Sequence, residues 1–330
     1  MALSVRDNFL RLANREVPEY IPEYNMMWFF NMPPMLMGTM NPDGTGTSIF
    51  GVERVKPSGT VDVPMPKTHD FILTDITKWR DVIKVPELNL DDSAWQAMAK
   101  EANDRRNPDI PFGGATSMGF FQDLVGFMGF TEGLTACFEE PEEVKALLNY
   151  LCDFYACLAK KLVQYYNLDC GYFGDDIAHE RNPFLSLEMF QDIFAPVWRR
   201  YYSVFVEAGL PCGHHNCGHF ELYLDDLADM GVSFWDPVQR SNDEAAIKAK
   251  YGNDMAMCSG GMDFRLMPAG ITEEEVRQMM RDYMDLMAPG GGFALFEWDP
   301  MGMVSFTEDE IQRAGWAYDE YKLRRYDYYK

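Results

Sequence analysis

The chain has 330 residues, 47% of them apolar and 14% aromatic, which supplies a large core and argues against disorder. Its 52 acidic against 29 basic side chains leave a formal charge of −23, which disfavours nucleic acid and anionic membranes, since both bind through Lys and Arg. Seven cysteines without a disulfide-framework rhythm, no signal-type apolar run at the N-terminus and no apolar stretch of membrane-spanning length point to a soluble, reduced, cytoplasmic protein.

The opening third has little period. Phe71–Leu73 and Val82–Val85 read as short strands, and the Gly- and Phe-rich stretch from Met118 to Phe130 has no clear pattern. From about residue 141 the chain alternates helix and strand. Val144, Leu147, Leu148, Leu151, Tyr155, Leu158 and Leu162 make a helical stripe. Strand Gly171–Gly174 follows, then a helix over Leu187–Val206, strand Leu210–His215, helix Phe220–Met230 and strand Val232–Trp235. Helix Asn242–Tyr251 leads to strand Met255–Cys258. Thr272 with Glu275 caps the next helix, Gly290–Gly292 stops it, and Phe293–Phe296 is a strand. Thr307 with Glu310 caps a last helix whose apolar face carries Ile311, Ala314, Trp316 and Tyr318. Strand–helix units without hairpin signals predict a parallel sheet, and the length favours a (β/α)8 TIM barrel with N-terminal elaborations, residues 1–330 forming one domain.

In such a barrel the chemistry sits at the carboxyl ends of the strands. Those ends carry Asp175 and Asp176, His215 and Cys217, Asp236, Cys258 and Asp263, and finally Glu297 and Asp299. The segment from Cys212 to His219 concentrates three of the five histidines. His215 and Cys217, two apart on an extended backbone, point the same way and can share one zinc ion. His214 points opposite and reads as packing or capping, and His219 as a helix cap or rim residue. Cys212 sits too early on its strand to join them. Cys137, Cys152, Cys157 and Cys170 read as small core residues. Asp236 and Asp263 are either substrate-binding groups or carboxylates that cap turns.

Several stretches together resemble the uroporphyrinogen decarboxylase superfamily: His215-Asn-Cys217-Gly218, Gly231 to Gln239, Lys250-Tyr-Gly252, Ser259 to Asp263, Thr272 to Val276, and Asp175-Asp176 followed by Leu185 to Glu188. The decarboxylases themselves carry an arginine-bearing Met-Arg-Gln-Ala-Gly-Arg stretch near the N-terminus for a substrate with many carboxylates. Here Asn25 to Met37 holds no arginine, so porphyrin decarboxylation is not expected. The His-x-Cys pair is similar to the superfamily's zinc-dependent methyltransferases that work with a corrinoid protein. That resemblance implies zinc on His215 and Cys217, with Glu297 or Cys258 as a further ligand. It also implies cobalamin on a separate corrinoid-binding protein, because no Asp-x-His-x-x-Gly segment is present. A zinc with fewer thiolates suits a methyl ether oxygen, hence an O-demethylase-like enzyme acting on a small methylated donor, a methoxylated aromatic. Asp175, Asp176 or His179 would act as general acid, and Met26, Trp28 and Phe29 would wall the ring. A metal-free decarboxylase or lyase acting on a small carboxylated substrate is the alternative, and a silent scaffold for the corrinoid carrier a third reading.

Overall fold

The computed structural model describes residues 3–43, 45–56, 65–117, 119–296 and 306–329. Strand β1 (Glu23–Tyr24) is followed by four short strands, β2 (Thr39–Met40), β3 (Gly46–Thr47), β4 (Glu53–Val55) and β5 (Met65–Pro66). Then come β6 (Gly113–Gly114), β7 (Cys170–Gly174), β8 (Cys212–His215), β9 (Val232–Asp236), β10 (Ala256–Ser259) and β11 (Phe293–Phe296). Seven of these form one curled parallel sheet in the order β1-β11-β10-β9-β8-β7-β6. This is the α/β, TIM-like architecture expected, with seven strands rather than eight among the described residues. The chain that leaves β1 at one edge returns to the other, where Asn31 bridges Gly114 in parallel and its Nδ2 donates to the Gly113 carbonyl at 2.8 Å.

The helices follow their sequence signals. Pro141 opens the helix Pro141–Tyr165, Glu142 and Glu143 complement its positive end, and the expected apolar stripe is buried against the sheet. Both predicted capping boxes form, at Thr272 with Glu275 and at Thr307 with Glu310. The helix expected over 187–206 is interrupted by a π turn, Phe190–Phe194. Pro196 has no N–H for the carbonyl four residues back, and the wider turn falls directly before it.

Four expectations fail. Residues 39–66 form an antiparallel meander, β2-β3-β4-β5; the turn sequence Asn41-Pro42-Asp43-Gly44 between β2 and β3 is a hairpin signal that the expectation of a parallel sheet overlooks, while the strands, two or three residues long, are too short for alternation to show. Neither Phe71–Leu73 nor Val82–Val85 is a strand. The Asp75 side chain accepts from Thr77 N–H and starts a 3-10 turn that runs into the helix Trp79–Val82. On the last helix, Glu308–Arg324, Ala314, Trp316 and Tyr318 pack against the core, but Ile311 is exposed and the polar Arg313 and Glu320 are buried with Ala317 and Tyr321. Glu320 is buried because Arg281 Nη1 at 3.1 Å and Arg277 Nη1 at 3.4 Å reach it from the preceding helix. Cys157 is exposed, on the outer face of Pro141–Tyr165.

The core has two layers. Outside the sheet the helices pack on residues such as Leu148, Phe173, Trp235 and Met257. Inside it, Phe9, Tyr24, Phe29, Cys170, Tyr172, Phe234, Cys258 and Phe296 fill the curl. Strand alternation sorts the two sets. Among the described residues no helix is long and apolar enough to cross a membrane. Leu148→Ala, at a fully buried position, should lower unfolding stability by about 2–5 kcal/mol. Leu266→Ala, on the surface, should stay within about 0.5 kcal/mol in the same urea titration.

Candidate metal centre

The alternation that builds the core also aims the side chains at the strand ends. His215 is the last residue of β8, and Cys217 lies two residues further on the same, inner side. Their Nε2 and Sγ atoms are 3.7 Å apart. Asp176, two residues beyond β7, joins them from the neighbouring strand. Its Oδ1 lies 3.8 Å from His215 Nε2 and accepts the Cys217 N–H at 2.7 Å. One nitrogen, one sulfur and one oxygen donor all lie within 4.8 Å of one another.

The loop behind them is pinned. Gly218 N–H donates to Gln239 Oε1 at 2.7 Å, and His219 Nδ1 meets the Ser241 carbonyl at 2.6 Å. Gly218 has φ of +87°, and a Cβ there would lie 2.8 Å from the His179 carbonyl oxygen, so only glycine fits after Cys217.

Behind the imidazole sits Asp236, fully buried at the end of β9. Its Oδ1 is 3.1 Å from His215 Nδ1, and the hydroxyls of Tyr172, at 2.7 Å from each oxygen, and of Tyr24 donate to the same carboxylate. This fixes the ring so that Nδ1–H faces Asp236 and Nε2 faces Cys217 and Asp176, the orientation a metal-binding histidine needs. Burial acts to lower the basicity of His215, but the charge and hydrogen bond of Asp236, with Cys217 beside it, hold it well above its ordinary value. Burial and then the Asp176 charge push the Cys217 thiol up, while His215 pulls it down. Without a metal, the pair therefore keeps its protons. A divalent cation would replace both, and the mixed N, S, O set fits zinc.

The remaining expected residues lie elsewhere. Asp175 faces outward and is buried beneath the helix Phe120–Met128. It accepts from the N–H groups of Phe120 and Phe121 at 3.0 Å, of Gln122 at 3.1 Å, and from Trp198 Nε1 at 3.1 Å. Burial pushes it up to about 8 against those donors. His179 is exposed, and its Nδ1 takes the Arg181 N–H at 3.3 Å. Cys258 is fully buried on the inner face of β10 and is not among the three converging donors; burial and the nearby Asp236 charge push its thiol up. Asp263 caps the turn Phe264–Leu266 and pairs with Arg265 at 2.9 Å. Glu297 and Asp299 lie outside the described residues. Phe29 is buried between Tyr24 and Tyr172, with ring centroids 5.5 and 5.3 Å away, and Met26 packs in the same cluster. Trp28 lines a cavity of about 360 Å³ with Glu23, Tyr24, Phe296 and Tyr318. His214 points outward, with Nδ1 2.7 Å from the Tyr202 hydroxyl and its ring against Trp198 and Phe220. Tyr24 and Tyr172 escape a sequence reading; Tyr172, inside an apolar strand, carries the signal of a hydroxyl that needs a buried partner, while Tyr24, between Glu23 and Asn25, carries none.

A smaller cavity of about 40 Å³ lies under the meander, lined in part by Arg54, Ser117, Asp123 and Tyr155. Burial pushes the Asp123 carboxyl up from 3.8 to about 7, against the Tyr155 hydroxyl and Arg54. The folded chain then holds a proton that the unfolded chain releases, so this contribution to stability is complete below 3.8 and is lost as pH rises through about 7. Urea midpoints should fall across that window, and Asp123→Asn should flatten the fall; an unchanged slope contradicts the assignment. Asp175→Ala strands four buried donors and should cost about 2 kcal/mol or more, whereas Asp176→Ala, at a partly exposed site, should leave the urea midpoint of the metal-free chain nearly unchanged.

Residues 93–295 match the uroporphyrinogen decarboxylase (URO-D) family. No curated protein sequence matches the chain. Among solved structures, a methyltransferase from Methanosarcina mazei superposes with a TM-score of 0.62 at 14% identity, covering 97% of this chain and 99% of that one. At that identity the likeness speaks for the fold. The family match spans more than half of the chain and includes β7 and β8, whose ends carry the donor triad: the protein belongs to the uroporphyrinogen decarboxylase family.

Proposed function

We propose that this chain is a zinc-dependent methyltransferase, moving a methyl group from a small methoxylated aromatic donor to the cobalt of a corrinoid held by a separate protein. The observation that carries the reading is the convergence of Asp176, His215 and Cys217 at the strand ends, backed by Asp236. The arginine-free segment Asn25 to Met37 argues against a substrate rich in carboxylates, and a methyltransferase from Methanosarcina mazei shows that this fold can carry methyl transfer.

His215, Cys217 and Asp176 would hold the ion. One thiolate and one carboxylate neutralise its charge, and Asp176 fills the place considered for Cys258 or Glu297. Zinc bound there supplies a Lewis acid for the oxygen that leaves with the aryl group. Asp236 keeps His215 in the ligating tautomer. The walls of the larger cavity, Tyr24, Trp28, Phe296 and Tyr318, offer flat apolar faces to a ring. Among its walls Tyr24 reaches toward the metal centre, through its hydroxyl on Asp236; Asp176, His215 and Cys217 do not line this cavity. Asp175 faces away from the site, beneath the helix Phe120–Met128, and so is not placed to pass a proton to the leaving oxygen.

The test is metal analysis joined to turnover. The purified chain should carry about one zinc, and Cys217→Ser should lose most of it. With a reduced corrinoid carrier and a panel of methoxylated aromatics, methyl-corrinoid should form and should stop after chelation. Zinc content that survives Cys217→Ser, or turnover that survives chelation, overturns the proposal.

A further inference from the structure

The inside of the curled sheet is filled almost entirely by side chains that need no partner: Phe9, Leu12, Phe29, Phe234, Phe296, alanines and cysteines. Two tyrosines break this pattern, Tyr24 and Tyr172, and both hydroxyls go to one acceptor, Asp236. Tyr24 is on edge strand β1, and Tyr172 on β7, next to the opposite edge. The curl brings their hydroxyls to 3.4 Å from each other. Phenylalanine would fill either position equally well, so the hydroxyls need an account of their own.

Asp236 supplies it. The carboxylate is completely buried, and no Lys or Arg pairs with it among the described residues. A buried charge persists only if its lone pairs are filled. Each tyrosine has one proton to give, and here each gives it to Asp236. With both oxygens engaged from below, the carboxylate cannot turn, and Oδ1 stays opposite His215 Nδ1. The imidazole is held in turn, with Nε2 toward Cys217 and Asp176. The chain of contacts runs from the barrel core to the metal centre in two steps.

We infer that Tyr24 and Tyr172 are positioning residues of the metal centre, a hydroxyl clamp that sets zinc affinity through Asp236 without touching the ion. The inference rests on the zinc reading above and goes beyond it, since it assigns ligand strength to residues of the interior core. Ligand-orienting partners of this kind typically govern metal affinity about 10- to 100-fold.

Tyr24→Phe and Tyr172→Phe each delete one hydroxyl and keep the ring. Tyr223→Phe is the control, because that hydroxyl goes to the Leu185 carbonyl, away from the site. Zinc affinity is read by competition with a chromophoric chelator, and ligand geometry by the visible absorption of the cobalt(II)-loaded proteins. Each clamp variant should hold zinc about tenfold more weakly and shift the cobalt bands; Tyr223→Phe should do neither. Circular dichroism of the metal-free proteins checks folding, and if one clamp variant is misfolded the other decides. Wild-type affinity and an unshifted cobalt spectrum in the clamp variants overturn the inference and leave the zinc reading standing. A wild-type chain with no measurable zinc affinity overturns both.

Discussion

The site depends on a single register. β8 pairs with β7 and β9 so that His215 lies opposite Gly174 on one side and Asp236 on the other. Gly174 leaves the space the imidazole needs, since a Cβ there would come within 3.2 Å of the His215 Cβ. Asp236 fills the other side with a fixed acceptor. A slip of one residue would exchange every inward and outward side chain. His214 would enter the site, and His215 would be buried among Trp198 and Phe220. The hydrogen bond between Asp236 and His215 is therefore both a consequence of sheet pairing and the reason the imidazole faces the donors of its neighbours.

That parity gives adjacent residues opposite duties. Asp175 and Asp176 differ by one position, yet the first secures a helix to the sheet and the second stands beside Cys217. His214 and His215 divide in the same way between aromatic packing and the candidate metal centre. The electrostatics follow from it. Burial and Asp236 act in opposite directions on His215, and the acid wins; burial and Asp176 act together on Cys217. One carboxylate, a thiol and an imidazole converge on one point, with a second carboxylate behind the imidazole, and such a donor set suits a cation. Sulfur beside nitrogen and oxygen favours zinc over the hard divalent ions.

Much of the fold was legible where elements were long enough to show a period. The stripe from Val144 to Leu162, the capping boxes at Thr272 and Thr307, and strands β7 to β11 can all be read from spacing. The region before residue 113 cannot, because strands of two or three residues carry no alternation and are held by tertiary contacts. The last helix misled for a different reason: a buried Glu320 satisfied by two arginines looks polar in sequence. At the site, His215 and Cys217 stand together because their spacing is local to one strand. The closeness of Asp176 depends on the pairing of β7 with β8, and the clamp from Tyr24 and Tyr172 on the curl of the whole sheet. No linear pattern reports either.

Zinc coordination by His215, Cys217 and Asp176 is the claim on which the functional reading stands, and X-ray absorption at the zinc edge of the metal-loaded chain addresses it most directly. The account predicts a single sulfur neighbour at about 2.3 Å with nitrogen or oxygen neighbours near 2.0–2.2 Å. A first shell without sulfur would remove Cys217 from the site, and a shell with two sulfurs would bring in Cys258 and displace Asp176. Either result contradicts the arrangement described.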